Sequence, residues 1–481
     1  MTPSPESSLY LNGEWRAGAA TVANRNPSDL NDVIGHYAQA DAAQAAQAVD
    51  AARAAQPGWA RAPLEDKQRL LRAIGDALIQ RCDELGELLS REEGKTRPEG
   101  RGEVYRAGQF FHYYAAEVLR QMGDLADSVR PGVSVEVTRE AVGVVAIVSP
   151  WNFPIATAAW KIAPALAFGN AVVWKPANLT PASAVALAQI AHQVGLPAGV
   201  FNLVLGSGGG VGNALIHSDR IDAVSFTGSV SVGRQVAAAT APNFVRCQLE
   251  MGSKNALVVA DDADLDTAVQ AAVIGAFSGT GQKCTASSRL VVTDAVHDAF
   301  VAALTQRLRD LVVGPALDDG VFMGPVVDEA QLTVNLGWVA RARELGGELV
   351  FGGERLDCAT PGYFMAPTLF THTDNAWDVN QEELFAPMAC VIRVRDLDEA
   401  IATVNDTRFG LTAGIVTQSL KTAARFKREA QSGCVMVNLP TAGTDYHVPF
   451  GGRKQSSYGP REQGQYAKDF YTVIKTSYQQ A

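Results

Sequence analysis

Residues 143–178 read GVVAIVSPWNFPIATAAWKIAPALAFGNAVVWKPAN, and the fold is decided here. The apolar run 143–150 has the length of a buried strand. AAWKIAPALAFG, residues 158–169, has helical spacing, and AVVWKPAN, residues 171–178, is a second apolar run. Strand, helix and strand in this order form a βαβ unit with parallel strands. The rhythm continues through ASAVALAQIAHQVG (182–195), FNLVLG (201–206), GGVGNALIHS (209–218), AVSFTGS (223–229) and VGRQVAAAT (232–240). The expectation is an α/β fold with a parallel sheet, helices on both faces, and ligands at the carboxyl ends of the strands.

Upstream, residues 42–55, 66–95 and roughly 99–120 carry apolar residues at helical spacing, and 133–140 alternates as a half-exposed strand does. From about residue 255 a second alternating segment begins with NALVVADDADLDTAVQAAVIGAF. It continues through SRLVVTD, a helix near 295–312 and residues 400–418, and reads as a second α/β domain. Residues 468–480 are β-prone. The chain shows no internal repeat and no low-complexity stretch.

The 481 residues suffice for roughly two or three domains. Hydrophobic residues at 47% and charged residues at 19% support a large core and argue against disorder. With 41 basic against 51 acidic residues, net −10, and no dense basic block, nucleic acid is not expected as a partner. No apolar run approaches the ~20 residues of a membrane span, so no membrane association is expected. MTPSPESSLYLNGEW lacks a basic head and an apolar signal core, so a cytoplasmic protein is expected. The six cysteines (82, 247, 284, 358, 390 and 434) form no CxxC pair, and neither a metal site nor a disulfide framework is expected.

Four local features sit where strands end or helices begin. In residues 149–154, SPWNFP, two prolines fix the backbone and leave the Asn152 amide at a strand exit. There it could stabilise an oxyanion or simply hold a turn. In 226–229, FTGS, Gly228 and Ser229 open a helix as a phosphate-accepting turn does, and as many ordinary turns do. In 249–255, LEMGSKN, Glu250 among apolar neighbours suits a base of raised pKa, or an ion pair at a strand end. In 281–286, GQKCTA, Cys284 in a Gly-containing turn beside Lys283 is a better thiolate candidate than a core cysteine. Buried filler is the alternative.

Cys284, Glu250 and Asn152 in this order and with these flanks resemble the aldehyde dehydrogenase superfamily. The resemblance runs from LNGEW (11–15) to PFGGRKQSSYG (449–459). It implies a Rossmann-like NAD(P)-binding domain (1–123 and 144–252), an α/β catalytic domain (253–460) and a small β oligomerisation flap (124–143 and 461–481). The flap would join a strand pair near 125–143 to a C-terminal strand near 468–478, and the assembly would be a homodimer or homotetramer. The resemblance further implies that Cys284 attacks the aldehyde, with Asn152 and the Cys284 backbone N–H as oxyanion donors. Glu250 would activate water to hydrolyse the thioester. Lys161 and Glu462 match positions linked to proton relay, or form a structural ion pair.

For the cofactor, NADP or NAD, the family pattern places Lys175 near the adenosine ribose, Gly228, Ser229 and Trp151 at the pyrophosphate, and Glu383 and Phe385 at the nicotinamide ribose. Ala386 and Ser253 depart from the usual glycines. Asn178 stands where NAD-specific members often carry Glu, which predicts that NADP is accepted; Asn178 could also bind the same ribose and keep NAD usable. NPSDLNDVIG (26–35), TGQKCTASSR (280–289) and HVPFGGRKQSSYGPREQG (447–464) are most similar to 2-oxoglutarate semialdehyde (2,5-dioxopentanoate) dehydrogenases. Trp160, Ser278 and Ala286 stand where succinate semialdehyde dehydrogenases carry two Arg and a second Cys. The carboxylate end of the substrate is assigned to Arg106, unless that residue only pairs with Glu103. Phe153, Trp160 and Phe110 are expected as apolar walls. Succinate semialdehyde or broad specificity, CoA acylation, a cofactor-free thiol hydrolase and a catalytically silent binding protein are the alternatives.

Overall fold

The alternating runs become two sheets whose ends meet. In the computed structural model, which describes residues 8–120 and 122–480, the first sheet has eight strands. Residues 1–7, part of the segment read above for a leader, lie outside the described ones. Val144–Val148, Ala171–Lys175 and Phe201–Leu203 lie side by side, parallel. Ala223–Thr227 returns to the opposite side of Val144–Val148, followed by Arg246–Glu250. The order therefore reverses at Val144–Val148, and a crevice opens at the carboxyl ends of the strands beside it. Short antiparallel strands finish both edges: Leu9–Leu11 with Glu14–Arg16 on one, Ser457–Tyr458 on the other.

These strands are continuous runs of Val, Ala and Ile because both faces are covered. Val144, Val145, Ala146 and Ile147 are completely buried. Helices Ala42–Ala60, Ala156–Ala167, Pro181–Gln193 and Val230–Thr240 pack against the sheet. Before the first of these parallel strands, Leu64–Gln80, Cys82–Glu93 and Arg97–Glu117 pack on one another. Arg97–Glu117 begins with a capping box in which Thr96 and Glu99 satisfy each other's backbone N–H.

The second sheet has seven strands in the order Glu348–Phe351, Thr368–Thr371, Met388–Val394, Ser287–Thr293, Asn255–Val259, Thr412–Val416 and Cys434–Val437. All pairings are parallel except the first. A third, antiparallel sheet joins Gly123–Asp127 and Val133–Ala141 to the tail strand Thr472–Gln480, close to where the strand pair and the tail strand were expected. Its tail strand is exposed beyond Ile474, with Ile474 and Tyr478 more than half open. Among the described residues, no helix is long and apolar enough to cross a membrane.

Candidate active site

The turn before Ser287–Thr293 carries Cys284. Gly279, Thr280 and Gly281 all have left-handed backbone, with φ of 57°, 58° and 65°. Thr280 adopts it at a cost of about 1–2 kcal/mol. At Gly281 a side chain is excluded outright, because a Cβ would lie 2.1 Å from the Ala386 carbonyl oxygen. Asn255 then fastens the turn. Its Nδ2 donates to the carbonyls of Cys284 (2.7 Å) and Ala286 (3.0 Å), while its Oδ1 accepts from Thr412 N–H (3.0 Å) and the Ser253 hydroxyl (2.7 Å). The Ser253 departure thus has a role in fixing Asn255, which sequence reasoning did not single out.

Cys284 stands where two cavities meet. Trp151, Thr227, Gly228, Ser229, Glu383 and Phe385 line one, with Glu250. Arg106, Phe110, Lys95, Lys283 and Gln463 line the other. Asn152, Phe153, Trp160, Cys284 and Phe450 belong to both.

Asn152 lies just past the exit of Val144–Val148. Trp174, wholly buried, donates its indole N–H to the Ser149 hydroxyl (2.8 Å) and so ties this exit to the neighbouring strand. Lys95 Nζ donates to the Asn152 carbonyl (2.6 Å) and lies 4.1 Å from the Phe153 ring centre. The same ammonium pairs with Glu103 at 2.6 Å, and Glu103 Oε1 accepts the Ile155 (3.0 Å) and Ala156 (3.1 Å) N–H groups where the next helix begins. Burial pulls the Lys95 pKa down, and the Glu103 and Glu93 carboxylates outweigh it and leave it raised. Neither residue was singled out for this site. Lys95 follows an acid-rich helix end, which reads as a solvated face. Glu103 was considered only as a mate for Arg106, and that pairing is not formed: Glu103 is taken by Lys95, while Arg106 stacks 5.5 Å from the Tyr446 ring centre.

The Asn152 amide donates to the Gln282 carbonyl (2.9 Å), which joins the two loops and leaves its second N–H for a ligand. The Cys284 thiol pKa is pushed well above its ordinary range, first by burial, then by the Glu383 and Glu250 carboxylates, against a backbone hydrogen bond. The expectation that Lys283 would favour a thiolate is therefore corrected. Its amine points to the Ser278 hydroxyl (2.7 Å) and Glu99 (3.6 Å), not to the sulfur. The thiol needs a base.

Glu250 ends its strand, and its carbonyl accepts Gly228 N–H at 3.0 Å, which couples it to the FTGS turn. Its Oε2 accepts the Ser457 hydroxyl at 2.6 Å. Gly451 leaves room for the carboxylate, since a Cβ there would come within 2.8 Å of Oε1. Burial, then the Glu462 charge, raise the Glu250 pKa to about 8, against Ser457, Lys161 and Arg461. Lys161 and Glu462 form a fully buried ion pair, and Lys161 also donates to the Ser225 hydroxyl at 2.9 Å. Of the two readings, the structure shows the ion pair, and its charges act on Glu250. Glu383 Oε1 accepts Ser253 N–H at 3.0 Å, and burial raises its pKa to about 7. Gly252 admits it, since a Cβ there would lie 2.1 Å from Glu383 Oε2.

The cavity beside Glu383 gathers the residues expected at the pyrophosphate and nicotinamide ribose of a dinucleotide. Ser229 caps the helix Val230–Thr240, leaving a helix N-terminus at a strand exit, and the buried Thr227 hydroxyl facing this region has no partner among the described residues. Phe385 keeps a left-handed backbone (φ 57°), and its ring meets Trp151 at 5.5 Å, edge to face. Lys175 and Asn178 are not brought into this lining. Lys175 is buried, with Nζ donating to the Pro176 carbonyl (2.8 Å) and its pKa lowered by burial to about 8, whereas Asn178 is exposed. Lys175 ends the strand Ala171–Lys175, and Asn178 follows it by three residues.

The sequence model of the Aldehyde dehydrogenase family matches residues 15–477. The alpha-ketoglutarate semialdehyde dehydrogenase of Haloferax volcanii is 43% identical over 98% of this chain and 98% of its own. The alpha-ketoglutaric semialdehyde dehydrogenase of Bacillus subtilis is 40% identical over 97% and 96%. The crystal structure of betaine aldehyde dehydrogenase from Staphylococcus aureus in complex with NAD+ superposes with a TM-score of 0.96 at 32% identity, covering 98% of this chain and 95% of that one.

The Lys95–Glu103 pair sets a testable cost. Lys95→Met leaves Glu103 buried without its cation and is expected to destabilise the protein by about 3–5 kcal/mol in chemical unfolding. Adding Glu103→Gln should recover part of that loss. A Lys95→Met protein as stable as the parent would show that the pair does not hold the Asn152 loop.

Proposed function

The chain belongs to the aldehyde dehydrogenase family and oxidises an aldehyde to a carboxylate with a nicotinamide cofactor, and from this premise we propose that its substrate is 2-oxoglutarate semialdehyde. Cys284, Asn152 and Glu250 carry the chemistry in this proposal. Glu250, with its pKa about 8, takes the Cys284 proton, and the sulfur attacks the aldehyde carbon. The free Asn152 N–H and the Cys284 backbone N–H hold the oxyanion of the thiohemiacetal; one such donor contributes ~3–4 kcal/mol. Glu383 and Phe385 would hold the nicotinamide ribose and Trp151 the pyrophosphate, and the nicotinamide, when bound, would supply the hydride acceptor. Glu250 then deprotonates the water that hydrolyses the thioester on Cys284, and the Lys161–Glu462 pair sets the charge behind it. The same carboxylate supports hydrolysis rather than transfer to CoA.

The observation that carries the substrate is the Arg106 guanidinium. Rings lead from the sulfur towards it: Phe450 to Trp160 at 5.5 Å, Trp160 to Phe110 at 5.9 Å, Phe110 to Tyr446 at 6.4 Å, and Arg106 beyond. Lys95 and Lys283, which also line this cavity, sit beside the carboxylates of Glu103 and Glu99. Arg106 has no carboxylate partner among the described residues, so it is the cation left for a distal carboxylate. NADP is accepted as well as NAD, because Asn178 brings no negative charge and Lys175 lies nearby. The division into cofactor-binding, catalytic and flap regions at 1–123 with 144–252, 253–460, and 124–143 with 461–481 is part of this proposal. So is a dimer or tetramer built through the third sheet, whose exposed strand a second subunit would cover.

Four outcomes test this reading. Arg106→Ala is expected to raise KM for the semialdehyde at least about tenfold while changing that for a neutral aldehyde far less; an unchanged KM removes Arg106 from recognition. Glu250 acts as a base only when ionised, so steady-state turnover should rise as pH climbs through about 8 and then level. Glu250→Gln should lower kcat by ~10²–10⁴ and slow the burst of reduced cofactor as well, because both the attack and the hydrolysis use this base; a burst of unchanged rate would remove Glu250 from thiol activation, and an unchanged kcat would remove it from hydrolysis. Lys175 is protonated below about pH 8 and neutral above it, so KM for NADP relative to NAD should increase as pH passes that value. Absence of NADP turnover would overturn the cofactor assignment.

A further inference from the structure

Gln463 follows the buried Glu462 and lines the aldehyde-side cavity, yet neither its Nε2 nor its Oε1 has a hydrogen-bond partner among the described residues. It is 1% exposed and sits in left-handed backbone at φ 64°. A buried glutamine amide with no protein partner must be satisfied by what enters the cavity, and a substrate that takes the place of water there has to bring polar atoms of its own. Trp160, which lines the same cavity, has a second such group, since its indole N–H is buried and also unpartnered.

Their place along the cavity is defined by contacts. Phe450 and Glu462 exchange backbone hydrogen bonds at 2.9 and 3.0 Å, so Gln463 emerges next to the ring that borders Cys284. Trp160 lies between Phe450 and Phe110 in the run of rings. The two unpaired groups therefore belong to the stretch between the sulfur and Arg106, where a simple hydrocarbon chain would leave both unsatisfied.

We propose that Gln463 and Trp160 are specificity-determining residues that donate, through Nε2–H and Nε1–H, to the ketone oxygen of a 2-oxo acid semialdehyde. The proposal rests on the substrate reading above and deepens it. With the aldehyde carbon at Cys284 and the carboxylate at Arg106, the ketone falls on the intervening stretch. Glutarate semialdehyde has the same chain length, aldehyde and carboxylate, and lacks only this oxygen. A site built to hydrogen-bond a group discriminates strongly against the analogue without it, because its own buried groups stay unpaired.

The test is the ratio of kcat/KM for 2-oxoglutarate semialdehyde to that for glutarate semialdehyde. The parent protein should favour the former, and Gln463→Leu and Trp160→Phe should each lower the ratio at least about tenfold. A ratio that stays within about twofold in both variants, with the parent still oxidising the 2-oxo acid aldehyde, overturns this inference and leaves the substrate reading standing. A parent that does not oxidise that aldehyde overturns both. Because either variant could fold poorly, the unmodified protein gives a second readout: 2-oxoglutarate should inhibit competitively with the aldehyde at least about tenfold more tightly than glutarate, and equal inhibition overturns the inference.

Discussion

A carboxylate buried away from water must find a cation or keep a proton, and the centre of this protein is organised by which of its acids do which. Glu103 is matched to Lys95 and Glu462 to Lys161. Glu250 and Glu383 have no ion-pair partner among the described residues, and burial raises them to about 8 and about 7. The paired acids hold loops and set the local field. The unpaired ones keep a proton that can be exchanged near neutral pH. The thiol obeys the same rule, since burial and those two carboxylates together keep Cys284 protonated until a base removes its proton.

That arrangement requires polar chain ends from two sheets to approach closely. The carboxyl ends of Val144–Val148, Ala223–Thr227 and Arg246–Glu250 deliver Asn152, the FTGS turn and Glu250 to one side. The amino ends of Asn255–Val259 and Ser287–Thr293 deliver Asn255 and Cys284 to the other. Where the two meet, there is no room for side chains on the backbone: Gly252 faces Glu383, Gly451 faces Glu250 and Gly281 faces the Ala386 carbonyl. The left-handed conformations at Thr280, Phe385 and Gln463 belong to the same region. Such backbone strain persists only where surrounding contacts over-determine it, as the Asn255 amide does for the Cys284 turn.

Much of the fold was legible from hydrophobic period alone, because buried parallel strands leave uninterrupted Val and Ile runs and amphipathic helices leave a spaced one. Motif residues marked both sides of the reaction centre, since turns at strand exits need Gly, Pro and Asn for local reasons that a sequence displays. Lys95, Glu103 and Asn255 were not legible as site residues. Each acts through a partner distant along the chain, and nothing in its flanks distinguishes a charge buried against a loop carbonyl from one in water. Lys283 misled for the same reason: adjacency in sequence to Cys284 suggested a field that its side-chain direction does not supply.

Local period and local turn geometry were enough to set the alternation of strands and helices and the residue types that could do chemistry. The resemblance to a known family supplied which of those residues act together. Long-range packing placed Cys284 between two cavities, gave Glu103 to Lys95 rather than Arg106, and left Gln463 and Trp160 facing a cavity with polar atoms that have no partner among the described residues. Burial, charge pairing and hydrogen-bond satisfaction are properties of the space between segments, and that space exists only once the sheets have come together.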